Sequence, residues 1–290
     1  MGRNHLVMPP RFHLEYFDPP AALQRYVLTL FSFVWDEPVI SDRHPGALAQ
    51  FSLFPYGSGW VEFAGKRDSL TGEAHMLAGF SSAAPFAMKG PWHAIGASLS
   101  SLGWAALTQK PANRFVDRFI PPQELIGGEV LSFAADTNEH YRSGKLSGKQ
   151  AAFAVADWLA PRFGEVPELH ERLIGQVTDW LGGSFNPDLE DLFSALPYSR
   201  RQAERLVERY FGFPPAALAR KYRAIRAASL LAEHNLTSEE QARIEEAFYD
   251  QPHMIREIRR YCGYTPSRLG GDEEPLFQAM LRMKNFNRIG

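Results

Sequence analysis

The stretch YDQPHMIREIRRYCGYTPSRL, Tyr249 to Leu269, decides how this chain is read, because YSRRQAERLVERYFGFPPAAL, Tyr198 to Leu218, aligns with it without a gap. Tyr198 pairs with Tyr249, Arg205 with Arg256, Arg209 with Arg260, Tyr210 with Tyr261, Gly212 with Gly263, Pro215 with Pro266 and Leu218 with Leu269. A repeat at constant separation is one supersecondary unit used twice. In each copy a polar residue, Ser199 or Asp250, stands where a helix N-cap is needed. Apolar residues then recur at helical spacing, as Ala203, Leu206, Val207 and Tyr210, and as Met254, Ile255, Ile258 and Tyr261, so each helix buries one side. Gly212 and Gly263 sit at the C-cap, and Pro215 and Pro266 prevent simple continuation. Both outward faces are led by arginine.

Between the copies, Ala216 to Glu233 contains no Gly or Pro and predicts a helix about 27 Å long at 1.5 Å per residue. Two recognition helices held roughly 34 Å apart can enter successive major grooves on one side of B-DNA. A short helix before each capped helix, Asp188 to Leu196 and Ser238 to Ala247, completes a helix-turn-helix. Charge supports this region as the interface. Between Ser199 and Arg226 eight cations face two carboxylates, although the whole chain carries a net charge of −2 and a charged cluster is also compatible with an ordinary solvated face.

With these motifs in place, the segment from Asn186 to Leu269 resembles the DNA-binding domain of the AraC/XylS family of bacterial transcription regulators. The most specific part is YDQPHMIREIRRYCGYTPSRL; SRRQAERLVERYFGFPP with RAIRAASLL after it resembles the first recognition helix and the connecting helix. The resemblance implies a regulator whose partner is double-stranded DNA, with RNA polymerase, a small-molecule effector and a second copy of the chain as further partners. It implies base-facing roles for Arg201, Glu204 and Arg205 in the first unit and for Gln251, His253 and Arg256 in the second. Arginine bonds bidentately to guanine and glutamine to adenine. Arg200, Arg209, Arg259 and Arg260 are placed for phosphates, which fix register without reading sequence.

Each assignment has a plainer alternative. Arg205 and Arg256 could form ion pairs that knit their units together, His253 could be an ordinary surface residue, and Cys262 reads as a buried thiol before a redox sensor. The sequence also departs from the family pattern. Phe193 and Arg243 fall where small residues are usual, and Pro197 and Ala247 fall near the turn glycines. Proline cannot adopt positive φ, so the first turn must be built another way. These departures define a second function: a diverged relative that acts through a protein partner.

The remaining sequence predicts an α+β chain: a β-containing, barrel-like N-terminal domain with flanking helices, followed by the all-α double helix-turn-helix domain. The expected divisions are 1–145 for a sensor or dimerisation domain, 146–185 for a helical linker, 186–270 for the DNA-binding domain and 271–290 for a tail. From Pro38 to Trp92, runs such as ALAQFSLF, GWVEFAG, HMLAGFSS and PFAMKGPW read as short strands joined by turns. Helices are expected at Ala21 to Phe33, Leu99 to Thr108, Ala151 to Ala160 and Glu168 to Leu181. Aromatic residues including Phe51, Phe54, Phe80, Phe86, Trp92 and Trp104 read mostly as core, with an apolar pocket as the alternative.

No catalytic elbow, P-loop, dinucleotide fingerprint or metal-spaced histidine set occurs, so neither enzyme activity, a cofactor nor a metal is expected. Absence of a long apolar run and of a secretory signal, with Cys262 the single cysteine, points to a cytoplasmic protein.

Overall fold

The computed structural model describes residues 12–46, 48–232 and 236–269; the expected tail at 271–290 lies outside them. The N-terminal half is built on one antiparallel sheet of β1 (Phe12–Phe17), β2 (Val27–Trp35), β3 (Val39–His44), β4 (Ala49–Phe63), β5 (Lys66–Leu70), β6 (Ala74–Leu77) and β7 (Ala84–Leu99). The main order is β1-β2-β7-β4-β5, with β3 also on β7 and β6 also on β4. The long β7 serves two neighbours in turn along one side: Ala84 to Lys89 pair with β3, and Trp92 to Leu99 pair with β2.

Helices follow as α1 (Ser101–Thr108), α2 (Gln123–Ile126), α3 (Glu129–Arg142), α4 (Gly148–Leu159), α5 (Glu168–Gly183), α6 (Leu189–Ala195), α7 (Arg200–Phe211), α8 (Pro215–Leu231), α9 (Ser238–Ala247) and α10 (Gln251–Cys262). Among the described residues no helix is long and apolar enough to cross a membrane.

The sheet does not close, which corrects the barrel-like expectation. Closure requires the outer strands to pair, whereas β1 and β5 have no such pairing. Both carry exposed ionic side chains, His13 and Glu15 on β1, Lys66 and Arg67 on β5, a composition that blunts sheet edges. The helix expected at Ala21 to Phe33 is a short 3-10 turn, Ala21–Leu23, followed by β2. β2 lies between β1 and β7 and buries side chains on both faces, so its apolar run lacks the alternation that marks a one-sided strand. ALAQFSLF and GWVEFAG are parts of one strand, β4. Its interior Pro and Gly mark register shifts around Tyr56 instead of a chain reversal.

Three apolar clusters organise the molecule. One lies between the sheet and α1, α3 and α4, with Phe51, Trp104 and Leu159 fully enclosed. A second joins the first helix-turn-helix to α5 and α1. The third runs continuously from Phe33, Phe80 and Phe86 of the N-terminal half into Ile225 of α8 and Ile258 and Tyr261 of the second helix-turn-helix. The two halves therefore share a core.

Polar contacts fix that junction. From α8, Lys221 is 3% exposed, and its amine donates to Gly46 O at 2.7 Å and Phe80 O at 2.6 Å. Tyr264 donates to Asp42 Oδ1 at 2.6 Å, and Ala83 N donates to Arg260 O at 2.9 Å. Gly263, at φ +85°, ends α10 in the left-handed region, and a Cβ there would collide with Arg43.

Burial pulls Lys221 down to about 7, against the opposing influence of Asp117 and Cys262. The unfolded chain then binds more protons between pH 7 and the ordinary lysine value, so this residue's contribution to stability grows with pH across that interval. Cys262 and the buried Tyr16 and Tyr222 are pushed up, and they act in the opposite sense from about their ordinary values upward. The interval in which Lys221 dominates is thus roughly pH 7 to 9. Urea unfolding of the native chain should show stability rising there by no more than about 1.4 kcal/mol per pH unit, and Lys221→Met should flatten the rise. An unchanged slope in the variant would assign the titration to another group.

Candidate nucleic-acid interface

Each recognition helix is fixed at both ends by its own sequence. For α7, Ser199 caps the N-terminus in a reciprocal box with Gln202, and Gly212 at φ +83° closes the C-terminus. For α10, Asp250 accepts from His253 N at 2.6 Å, and Gly263 closes the other end. These are the expected caps. The helices preceding them are capped too, α6 by Asp188 and α9 by a Thr237–Glu240 box. The connecting helix α8 has 17 residues, about 25 Å at 1.5 Å per residue.

The turns answer the departures at Pro197 and Ala247. After α6 the chain leaves through extended Leu196 (φ −94°, ψ 135°), and after α9 through extended Phe248 (φ −125°, ψ 142°). Neither turn contains a residue at positive φ, so glycine has no conformational advantage there. Phe193 is half-buried at the rim with the Arg200 guanidinium 4.6 Å from its ring centre, and exposed Arg243 lies 5.3 Å from the Phe185 ring. Both large residues thus sit at the edge of their units.

The predicted contact residues separate into free and engaged groups. Arg201 and Arg205 are exposed and share a shallow hollow with Glu204 and Glu208. Arg256, Arg259 and Gln251 are exposed on α10. No described residue pairs with Arg205 or Arg256, so the internal ion-pair alternative for them is not what the structure contains. Arg200 is engaged: it reaches back to Glu190 of α6 at 3.1 Å and to Glu204 at 3.6 Å. Arg260 lies beside the Tyr261 ring while its carbonyl holds Ala83.

His253 belongs to a network that sequence alone did not suggest. Its Nε2 is 3.2 Å from Glu257 Oε1, while Glu257 Oε2 accepts from Arg223 at 2.6 Å. Arg223 also donates to Asn186 Oδ1 at 3.0 Å and lies 4.9 Å from the Phe248 ring. Glu257 is 7% exposed, so this ion pair ties α10 to α8 beneath the surface. Arg226 donates to Leu181 O and Ser184 O, satisfying carbonyls at the end of α5. The cationic run seen in sequence is therefore partly internal scaffold: Lys221, Arg223 and Arg226 hold the fold, while Arg201, Arg205, Arg209 and Arg220 face outward.

Arg114, from the N-terminal half, was not singled out by sequence. It lies with Asn113, His170, Arg205 and Arg209 around an open hollow. His170 accepts or donates at 2.7 Å with Tyr210, which anchors that rim to α7. No sequence motif marks Arg114, since its position beside α7 arises from the packing of the 3-10 turn Ala112–Arg114 against that helix. Cys262 is buried and its thiol is pushed up by that burial, which suits a structural residue. Among the described residues no group of His, Cys, Asp or Glu side chains is arranged to hold a metal ion.

Residues 192–270 match the family model of a helix-turn-helix domain. This segment is an AraC-type helix-turn-helix domain. The matched residues include α7, α8, α9 and α10, the elements that carry the exposed arginines. Among solved structures, the chain is similar to an apo single-substitution variant of ToxT from Vibrio cholerae strain SCE256, at 9% identity and a TM-score of 0.46, covering 90% of this chain and 97% of that one. It is also similar to the AraC-like transcriptional activator CuxR, at 14% identity and a TM-score of 0.30, covering 75% of this chain and 87% of that one. No curated protein matches the sequence.

Removing one partner of the buried Arg223–Glu257 pair leaves an uncompensated charge, which typically costs about 3 to 5 kcal/mol. Glu257→Ala should therefore lower stability to urea by about 3 kcal/mol, whereas Arg205→Ala, on the open face, should change it by less than about 0.5 kcal/mol. Equal effects of the two substitutions would refute this division of roles.

Proposed function

We propose that the chain is a sequence-specific regulator that reads duplex DNA through the first turns of α7 and α10 and is controlled by a small molecule bound in its N-terminal half. In this reading residues 1–145 form the sensing unit, 146–185 a helical linker and 186–270 the reading unit. Arg201, Glu204 and Arg205, and Gln251, His253 and Arg256, lie toward the bases; Arg200, Arg209, Arg259 and Arg260 lie toward phosphates. RNA polymerase and a second copy of the chain are the protein partners that this cytoplasmic role implies.

The observation that carries the reading is the freedom of Arg201, Arg205 and Arg256 in a region where other cations are committed internally. A guanidinium held exposed on the first turns of a capped helix is placed for bidentate contact with guanine. His253 has a further consequence. Its Nε2 is bonded to Glu257 and its Nδ1 is buried, so a base contact there would require the ring to leave this network.

Gel-shift titration against the chain's own upstream DNA tests the reading. Arg201→Ala and Arg256→Ala should each weaken binding by about 1 to 3 kcal/mol and relax specificity at one position. Arg259→Ala should weaken all sequences alike and reduce the salt dependence. Full-strength, salt-insensitive binding by both base-contact variants would overturn the assignment, and a protein partner in a pull-down that competing nucleic acid does not displace would favour the diverged alternative.

A further inference from the structure

The inner face of the sheet carries a cavity lined mainly by apolar side chains with a few polar groups among them, the usual character of a small-molecule site. Strand register explains how it forms. Tyr16, Phe31, Gly96, Ser52 and His75 are successive cross-strand partners over β1, β2, β7, β4 and β6, and partners directly opposite one another project to the same side. A Cβ on Gly96 would collide with Phe51 O, so glycine permits the close approach in the middle of this row. Phe54, Phe86, Trp92 and Phe119 supply aromatic walls. Of the aromatic residues that read as core in the sequence, Phe51, Phe80 and Trp104 are core, whereas Phe54, Phe86 and Trp92 also line this space.

Its polar content is small and uncharged. No Asp, Glu, Lys or Arg lines the cavity; the polar lining is Tyr16, His44, Gln50 and Ser52. Ser52 is 6% exposed, and neither it nor Gln50 has a side-chain hydrogen-bond partner among the described residues. His75, directly opposite Ser52 and 8% exposed, has a buried Nδ1 without a partner and packs on Phe54 and Phe119. Buried polar groups left unmatched in this way are costly unless something else supplies their bonds.

His44 has a defined polarity. Its Nδ1 accepts from Gly46 N at 2.9 Å, which leaves the proton on Nε2 as a donor. Burial, with the Lys221 charge beside it, pulls His44 down to about 4, and burial does the same to His75. Lys221, whose charge acts on His44, directs its amine to two backbone carbonyls and is outside the lining. A charged ligand entering this space would lose hydration without gaining an opposite charge.

We propose that this cavity is the effector site and takes an uncharged, largely apolar molecule with an aromatic body and a hydrogen-bonding oxygen, satisfied by His44, Gln50 and Ser52. The inference rests on the reading that the N-terminal half senses an effector. The route to the DNA-binding half is short. His44 and Gly46 are joined by the Nδ1 bond, and the Gly46 carbonyl receives both Phe80 N and the Lys221 amine. A ligand oxygen bound by His44 therefore acts two residues away from the carbonyl that secures α8.

The test uses two molecules with one ring system, 2-acetylnaphthalene as the neutral ketone and 2-naphthoate as the anion, titrated calorimetrically into the full chain at pH 7 without DNA. The ketone should bind at least tenfold more tightly than the carboxylate, Gln50→Leu should weaken the ketone about tenfold, and Ala94→Phe, which fills the space, should abolish binding. The comparison of the two ligands needs no variant, so it stands even where Ala94→Phe fails to fold. Equal or tighter binding of naphthoate, or no binding of either up to the solubility limit, would overturn the proposal. Gel shift with saturating ketone then separates the site from the regulatory reading: altered DNA affinity supports both, and tight ketone binding with unaltered DNA affinity sinks effector control.

Discussion

The arrangement of the whole molecule depends on one buried amine. Lys221 leaves the connecting helix of the C-terminal half and ends on two main-chain carbonyls of the N-terminal half, Gly46 and Phe80. An amine in that position must keep its partners, because a buried donor without acceptors is far more costly than the bond is favourable. The contact thus acts less as an adhesive than as a constraint on geometry: α8 sits where those two carbonyls are. Apolar contact does the rest, through a cluster that crosses from β7 and Phe80 to α8 and α10 without a break.

This constraint changes the meaning of the cationic run. Read as a list, the arginines of α7 and α8 form a single positive patch. In the fold they divide by depth, with Arg223 on Glu257 and Arg226 on the end of α5, while Arg201 and Arg205 remain on the open face. Depth, not sequence position, distinguishes a residue that organises the double unit from one available to a phosphate or a base edge. His253 spans both classes, since its ring is held from below by Glu257 at the start of an outward-facing helix.

The parts legible in the sequence were those governed by local rules. N-caps at Ser199 and Asp250, C-caps at Gly212 and Gly263, the bounds of α9 and nearly those of α8 follow from neighbours within one turn. The exposed faces of α7 and α10 followed from apolar periodicity. What was not legible depended on distant segments. β2 looked helical because both its faces are covered, and β4 looked interrupted because Pro and Gly inside a strand read as turns until their partner strand is known. Lys221 could not be separated from its neighbours, because the groups it meets are backbone carbonyls more than a hundred residues earlier and carry no sequence signature.

The tie between Ala83 N and Arg260 O lies at the far end of α10 from Gln251 and His253. It uses main-chain atoms at both ends, so almost any side chain at 83 or 260 preserves it, with proline at 83 the exception. The helix is thereby split into a docking terminus indifferent to residue identity and a leading terminus where identity matters. On the proposed reading of DNA by α10, such a layout permits a lineage to rewrite its DNA preference, one exchange at a time, without loosening the joint that holds the protein together.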